Sequence, residues 1–271
     1  MTSRTSTTSA VAGPISGAFS ALADTPIVWR LLSLALFCAA WEIAGRSNFN
    51  YAFPTFFETM GALWEMCADG SIFSAYLRTL QPLVIGLAFS LTVGVSAGVL
   101  MGLREDAEWM TLPVFITMQA APMAALIPLV TFVYGIGLIS KVLAVVMLAM
   151  PVIAINSYKA VRNVPPSLID MCRSFQGSQR QQIVRIILPA ASPMMFAGIR
   201  LGVAEGFSGA VLAELLITPT GIGDLITYSR SVAQFDHMYA VILSIVAFAV
   251  ITVSLLQKLE TKLFRPETRG I

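Results

Sequence analysis

Four stretches of this chain carry no charged residue and are long enough, or nearly so, to cross a lipid bilayer. They are Thr79 to Leu103 (25 residues), Trp109 to Ser140 (32), Val142 to Tyr158 (17) and Met238 to Gln257 (20). A helix needs about 20 apolar residues to cross the hydrocarbon core, and inside that core every backbone polar group must bond within its own segment. Runs of this kind predict an all-α, polytopic membrane protein. Composition agrees: 56% of residues are hydrophobic and 12% charged, about half the charged share of roughly 25% usual in soluble domains.

Two weaker spans complete the count. Ile27 to Gly45 is apolar except for Arg30 and Glu42 near its ends, where long side chains reach the interface. Pro193 to Ile217 is apolar but carries Arg200, Glu205 and Glu214. The Trp109 run holds Pro113, Pro122, Pro128, Gly135 and Gly137, so it reads as one helix and a broken stretch and counts once. Six transmembrane helices are expected. The transmembrane domain is placed at 27–258, between a Ser/Thr/Ala-rich tail at 1–26 and a C-terminal tail at 259–271. The first 26 residues contain no apolar core of signal-peptide type, so a tail is expected there.

Lys and Arg counts set the orientation. With both termini cytoplasmic, the inner side holds Arg4, Arg30, Arg104, Lys159, Arg162, Arg173, Arg180, Arg185, Lys258, Lys262, Arg265 and Arg269. The outer side holds Arg46, Arg78, Lys141 and Arg230. Twelve against four favours this topology. The basic residues collect at membrane edges, which argues for a bilayer and against nucleic acid as the partner. Cys38, Cys67 and Cys172 fall in a span, outside and inside, so no disulfide framework is expected.

Outside the first span, Thr55 precedes Glu58 by three residues, a capping-box pattern. Phe56, Met60, Leu63 and Cys67 follow at helical spacing. This predicts an amphipathic helix, lying on the membrane surface or packed on its neighbours.

The long loop, 159–192, is punctuated as two short helices. Ser167 with Asp170 predicts an N-terminal capping box, and Leu168, Met171, Cys172 and Phe175 fall on one face. Gly177 suits the helix C-terminus. Ser178 with Gln181 predicts a second box, and Ile183, Ile186 and Ile187 an apolar side. Pro189 is expected to stop this helix, and Pro193 to help turn the chain back into the membrane. The pair either packs under its own bundle or docks into a partner's groove. Pattern alone leaves both open.

The loop resembles the signature of permease subunits of binding-protein-dependent ABC importers: Glu-Ala-Ala, three residues, Gly, nine residues, Ile, one residue, Leu-Pro. Asp170 stands at the Glu and Met171-Cys172 at the Ala-Ala, while Ile186, Leu188 and Pro189 keep the spacing. The glycine departs from the pattern: Gln176 holds its place and Gly177 comes one residue late. Further landmarks resemble the taurine, sulfonate and nitrate branch. They are Ala121-Pro122, Ile127-Pro128-Leu129, Tyr134-Gly135-Ile136-Gly137, Lys141, Pro193, Gly198-Ile199-Arg200, Ala213-Glu214 and Gly221-Ile222-Gly223.

The resemblance implies a type I importer permease of the bacterial inner membrane. It implies a second copy of the chain, a homodimer, with the pathway at the interface. It also implies a cytoplasmic ATPase that receives the coupling loop, and a binding protein that delivers a small polar solute, anionic ones included. The coupling residues would be Leu168, Asp170, Met171, Cys172, Arg173, Phe175, Gly177, Leu188 and Pro189. The chain contains no G-x-x-x-x-G-K-[ST] motif, so ATP and Mg are expected on the partner ATPase and no cofactor on this chain.

No catalytic or metal-binding constellation is visible, and the chain is not expected to be an enzyme. His237 is the only histidine. Charges inside spans are functional candidates by default. Arg200 is expected to snorkel. Glu205 and Glu214, with the helix break at Pro122, are candidates for pathway or gate, and a structural hydrogen bond is an equal reading of Glu214. The competing reading is an ion-gradient-driven secondary transporter, which would want inverted repeats and midplane carboxylates.

Overall fold

The computed structural model describes residues 26–47, 51–217 and 220–264. The proposed tail at 1–26 lies outside them except for Pro26, and most of the tail at 259–271 also lies outside. Ten helices account for the described chain. They are α1 (Pro26–Arg46), α2 (Phe56–Ala68), α3 (Ser71–Leu103), α4 (Glu105–Ala120), α5 (Met123–Tyr134), α6 (Leu138–Arg162), α7 (Pro166–Ser174), α8 (Gln179–Leu216), α9 (Ile222–Ser231) and α10 (Phe235–Phe264). The chain forms two compact units, 1–60 and 61–271.

In the first unit, α1 presents large apolar side chains outward along its length, with Trp29, Leu34, Leu36 and Ile43 all at least 60% exposed. That is the surface of a helix surrounded by hydrocarbon. Trp41 packs edge-to-face on Phe37 and Phe56 and at a tilt on Phe53, and its indole N–H donates to the Pro54 carbonyl at 3.1 Å. The predicted box opens α2: the Glu58 carboxylate accepts from the Thr55 N–H at 2.9 Å, and the Thr55 hydroxyl accepts from the Glu58 N–H at 3.2 Å.

The second unit is built around α6. More than half of its span is buried, because two glycine-striped helices close on it from different sides. On α3, Gly86 meets Val145, Gly94 meets Ile153 and Gly102 meets Val161. A Cβ on Gly86 would stand 2.6 Å from the Val145 methyl, so only glycine permits this approach. On α8, Gly198 meets Asn156, Gly202 meets Ile153, and Gly209 meets Ala144. Residue numbers rise together along α3 and α6, and in opposition along α8 and α6. The α3 helix is therefore parallel to α6, and α8 antiparallel.

This directionality fixes the connectivity. Since α3 and α6 run the same way, residues 104–137 must return across the bundle. They do so through α4 and α5, which are bent by 101° at Ala121-Pro122. Both residues are extended there (ψ 137° and 94°), which for Ala121 is the conformation a residue before proline prefers. With this broken span counted once, six spans among the described residues are long and apolar enough to cross a membrane, the number expected from the sequence. The last helix runs on to Phe264, past the expected boundary at 258.

The helix α2 packs on its neighbours. Ala62 and Met66 are buried with Ile72, Ala75, Ile222, Ala240 and Val241. Its inward face includes Thr59, Ala62 and Met66, and not the predicted Met60, which is exposed.

Candidate functional sites

At the end of the bundle that carries the long loop, α7 is seated beneath α3, α6 and α8. Leu168, Ile169 and Ile183 pack against Ala160, Val161, Val164, Ile187 and Ala191. The predicted stripe on α7 is therefore divided. Leu168 and Cys172 turn inward, while Met171 is 48% exposed and Phe175 is 82% exposed. Asp170 and Arg173 are exposed and lie 3.5 Å apart. The expected Ser167–Asp170 box does not form. Pro165 is the N-cap and Pro166 the first helical residue, so the prolines set the helix start and Ser167 falls inside it.

The turn after α7 has a form the sequence did not predict. The Gln176 N–H donates to the Arg173 carbonyl at 2.8 Å, and the Gly177 N–H to the Cys172 carbonyl at 2.9 Å. This is a Schellman C-cap, which needs a left-handed residue at its centre. Gln176 is that residue, with φ 56°, and it stands where the signature has glycine. Gly177 is required for a different reason: a Cβ there would collide with the Cys172 sulfur and stand 2.9 Å from its carbonyl oxygen. The second box forms as predicted, the Ser178 N–H donating to Gln181 Oε1 at 2.8 Å and the Gln181 N–H to Ser178 Oγ at 3.3 Å.

The chain does not stop at Pro189. Residues Gln182–Ile187 widen into a π-helical turn, with the Leu188 N–H bonding to the Ile183 carbonyl. Pro189 has no N–H and its ring crowds the preceding turn. The wider turn absorbs both defects, and α8 continues through Pro189 and Pro193 to Leu216. The Leu188-Pro189 pair is thus the junction at which the loop helix runs on into a membrane span.

The opposite end of the bundle holds a buried ion pair. Lys141 and Glu214 approach to 3.3 Å with side chains 6% and 0% exposed. Lys141 Nζ also donates to the Thr220 hydroxyl at 2.7 Å and to its carbonyl at 3.1 Å. The Glu214 carboxylate accepts from the Thr79 hydroxyl at 2.9 Å and from the Gly223 N–H at 3.1 Å. Thr79 accepts in turn from the Ile222 N–H at 2.9 Å. Every charge is compensated, which a buried pair requires. Gly221, at φ 93°, leaves no room for a Cβ against the Glu214 carboxylate. Two separate sequence landmarks, Ala213-Glu214 and Gly221-Ile222-Gly223, are therefore one structural joint among α3, α6, α8 and α9. Lys141, expected in an outer loop, lies in the first turn of α6, and its partner is 73 residues away.

The remaining intramembrane charges differ. Arg200 does not snorkel free: it pairs with Glu260 of α10 at 3.2 Å. Glu205 is exposed on α8, nine residues before the buried Glu214, and no hydrogen bond or ion pair holds it among the described residues. Pro122 is exposed at the α4–α5 break and caps α5. Among the described residues no hydrogen bond or ion pair joins the three pathway candidates to one another.

A family model for the binding-protein-dependent transport system inner membrane component matches residues 90–265. The permease protein SsuC of Bacillus subtilis (strain 168), named for aliphatic sulfonates transport, is 27% identical over 87% of this chain and 86% of its own. The riboflavin transport system permease protein RibX of Chloroflexus aurantiacus (strain ATCC 29366 / DSM 635 / J-10-fl) is 30% identical over 84% of this chain and 83% of its own. Among solved structures, an inward-facing MetNI methionine ABC transporter chain shares the fold, with TM-score 0.59, 19% identity, and coverage of 72% of this chain and 94% of that one.

Proposed function

The chain belongs to the family of binding-protein-dependent transport system inner membrane components and is a permease subunit of an ABC importer, and we propose that the exposed side of α7 is the surface through which it is driven. Met171 and Phe175 carry this reading. They are the large apolar residues that the bundle leaves uncovered on α7 and at its C-cap, and the other side of this helix is locked beneath three spans. A cytoplasmic ATPase with an apolar cleft is the partner that such a knob fits. ATP and Mg would be held there, and closure of the ATPases would push α7. The π-helical junction at Leu188-Pro189 would pass that movement into α8.

Both termini are then cytoplasmic, as the excess of Lys and Arg on the loop side supports. A second copy of the chain, giving a homodimer, supplies the other wall of the pathway. Glu205 favours this assembly, because a carboxylate facing lipid from mid-span is costly and one facing a water-filled interface is not. Pro122, at the break between α4 and α5, is assigned to the same pathway as part of this reading. The cargo is a small polar solute delivered by a binding protein. The ion-gradient-driven alternative falls with the family assignment.

The test is co-purification. The full chain is isolated from its native membrane in mild detergent, and the retained ATPase is quantified. Met171→Ala with Phe175→Ala should abolish retention while the permease still inserts and elutes as before. Full retention by that variant would overturn the coupling role of α7.

A further inference from the structure

The joint between α3, α6 and the Thr220 segment borders a cavity of about 370 Å³. Arg78 and Gln81 of α3, the Ile136–Leu138 turn, Lys141 and Thr220 contribute to its wall. That volume suits a small solute and not a folded partner. The charges on the wall are unequal in their freedom. Lys141 has three N–H donors, and all three are engaged, by Glu214, the Thr220 hydroxyl and the Thr220 carbonyl. Its charge is cancelled by the buried carboxylate. Arg78 is exposed, and among the described residues it has neither a hydrogen bond nor an ion pair; the same holds for the hydrogen bonds of the Gln81 amide. One uncompensated guanidinium, with its five donors, therefore dominates the cavity.

The position of Arg78 explains why it can stay charged without a protein partner. It is the eighth residue of a 33-residue helix. At 1.5 Å per residue that helix is about 50 Å long, against a hydrocarbon core of about 30 Å. Arg78 stands within about 11 Å of the outer end of the helix, at the level of the interface. A planar guanidinium there is suited to a bidentate oxyanion: sulfonate, carboxylate or phosphate.

We propose that Arg78, assisted by Gln81, forms an oxyanion-binding subsite at the mouth of this permease, which receives the anionic group of a small solute. The proposal rests on the permease reading above. The same chemistry would accept a lipid phosphate, and the experiment separates the two sources.

The full chain, freed of phospholipid in dodecyl maltoside, is treated with phenylglyoxal, and modification of each arginine is followed by peptide mass spectrometry. Ethanesulfonate is the probe and choline the cationic control. At a probe concentration of about four times Kd, modification of Arg78 should slow about fivefold, as 1 + [L]/Kd requires. Choline should have no effect, and Arg180 in the exposed loop should react unchanged in both. Protection that appears only when phosphatidylglycerol is restored would keep the oxyanion subsite and assign it to lipid.

Equal reactivity of Arg78 with and without both anions would overturn the subsite. So would protection by choline, or protection by an added binding protein alone. Gln81→Leu should weaken protection by the probe and leave the intrinsic reactivity of Arg78 intact. ATPase retention is measured on the same preparation. A permease that keeps its ATPase yet shows no protection loses only this proposal, whereas loss of the ATPase from the unmodified chain would remove the reading beneath it.

Discussion

At the scale of single residues, the Lys141–Glu214 pair shows how little of a membrane charge's role lies in its own sequence neighbourhood. Lys141 follows Gly135 to Ser140 and looks like an outer-loop cation. Its role is set by a carboxylate on another helix, which no local pattern reveals. The pair makes a testable demand. Lys141→Met leaves Glu214 buried without its cation, and removal of one partner of a buried pair costs about 3–5 kcal/mol. The melting temperature of the purified permease should fall sharply. Lys141→Met with Glu214→Gln removes both charges, and the amide can still accept from Thr79 and Gly223. Most of the loss should then be recovered. A double variant as unstable as the single one would show that the joint depends on hydrogen bonds and not on charge. Gly221→Ala should also destabilise, since the added methyl meets the carboxylate and the backbone sits at φ 93°.

At the scale of elements, legibility followed the physics of each signal. Membrane crossings were plain, because a long charge-free run has few other uses. Two capping boxes, at Thr55 and Ser178, were legible because each partner lies three residues from the other. The Ser167 box was not, because Pro165 and Pro166 have a stronger claim on the helix start. The inward side of α7 was half legible: spacing found the apolar residues, but the bundle decided that Leu168 and Cys172 face it while Met171 and Phe175 do not. The passage of α8 through Pro189 depends on a π-helical turn that has no sequence code. The Schellman turn after α7 combines these cases, since the geometry survives a missing glycine. A non-glycine residue in the left-handed region costs about 1 kcal/mol. Gln176→Gly should relieve up to that amount and slow hydrogen exchange at the Gly177 amide. Gly177→Val should do the opposite by forcing the chain off Cys172. Faster exchange in Gln176→Gly would mean that the Gln side chain contributes more than its backbone strain removes.

At the scale of the whole molecule, the bundle joins two ends of different character through one buried helix. The α6 helix is held by glycine-striped neighbours along its length, with the ion-paired joint at its start and the α7 seat at its finish. Such packing resists bending, so on the proposed mechanism a push on α7 would be carried by movement of whole helices and not by local yielding. The α8 helix is the direct link, since it begins in the loop and ends at Glu214 and the joint. This mechanism requires the two ends to lie on opposite sides of the membrane, with the loop inside. Single cysteines introduced into a cysteine-free chain test it. Gln179→Cys is in the loop, and Ser231→Cys is at the far end; both positions are exposed. In intact cells, a membrane-impermeant maleimide applied from outside should label residue 231 and not residue 179. After permeabilisation both should be labelled. The reverse pattern would invert the topology, putting α7 out of reach of any cytoplasmic ATPase and Arg78 on the wrong side for an incoming solute. Labelling of both in intact cells would mean that α8, the one span between the two positions, does not cross the membrane.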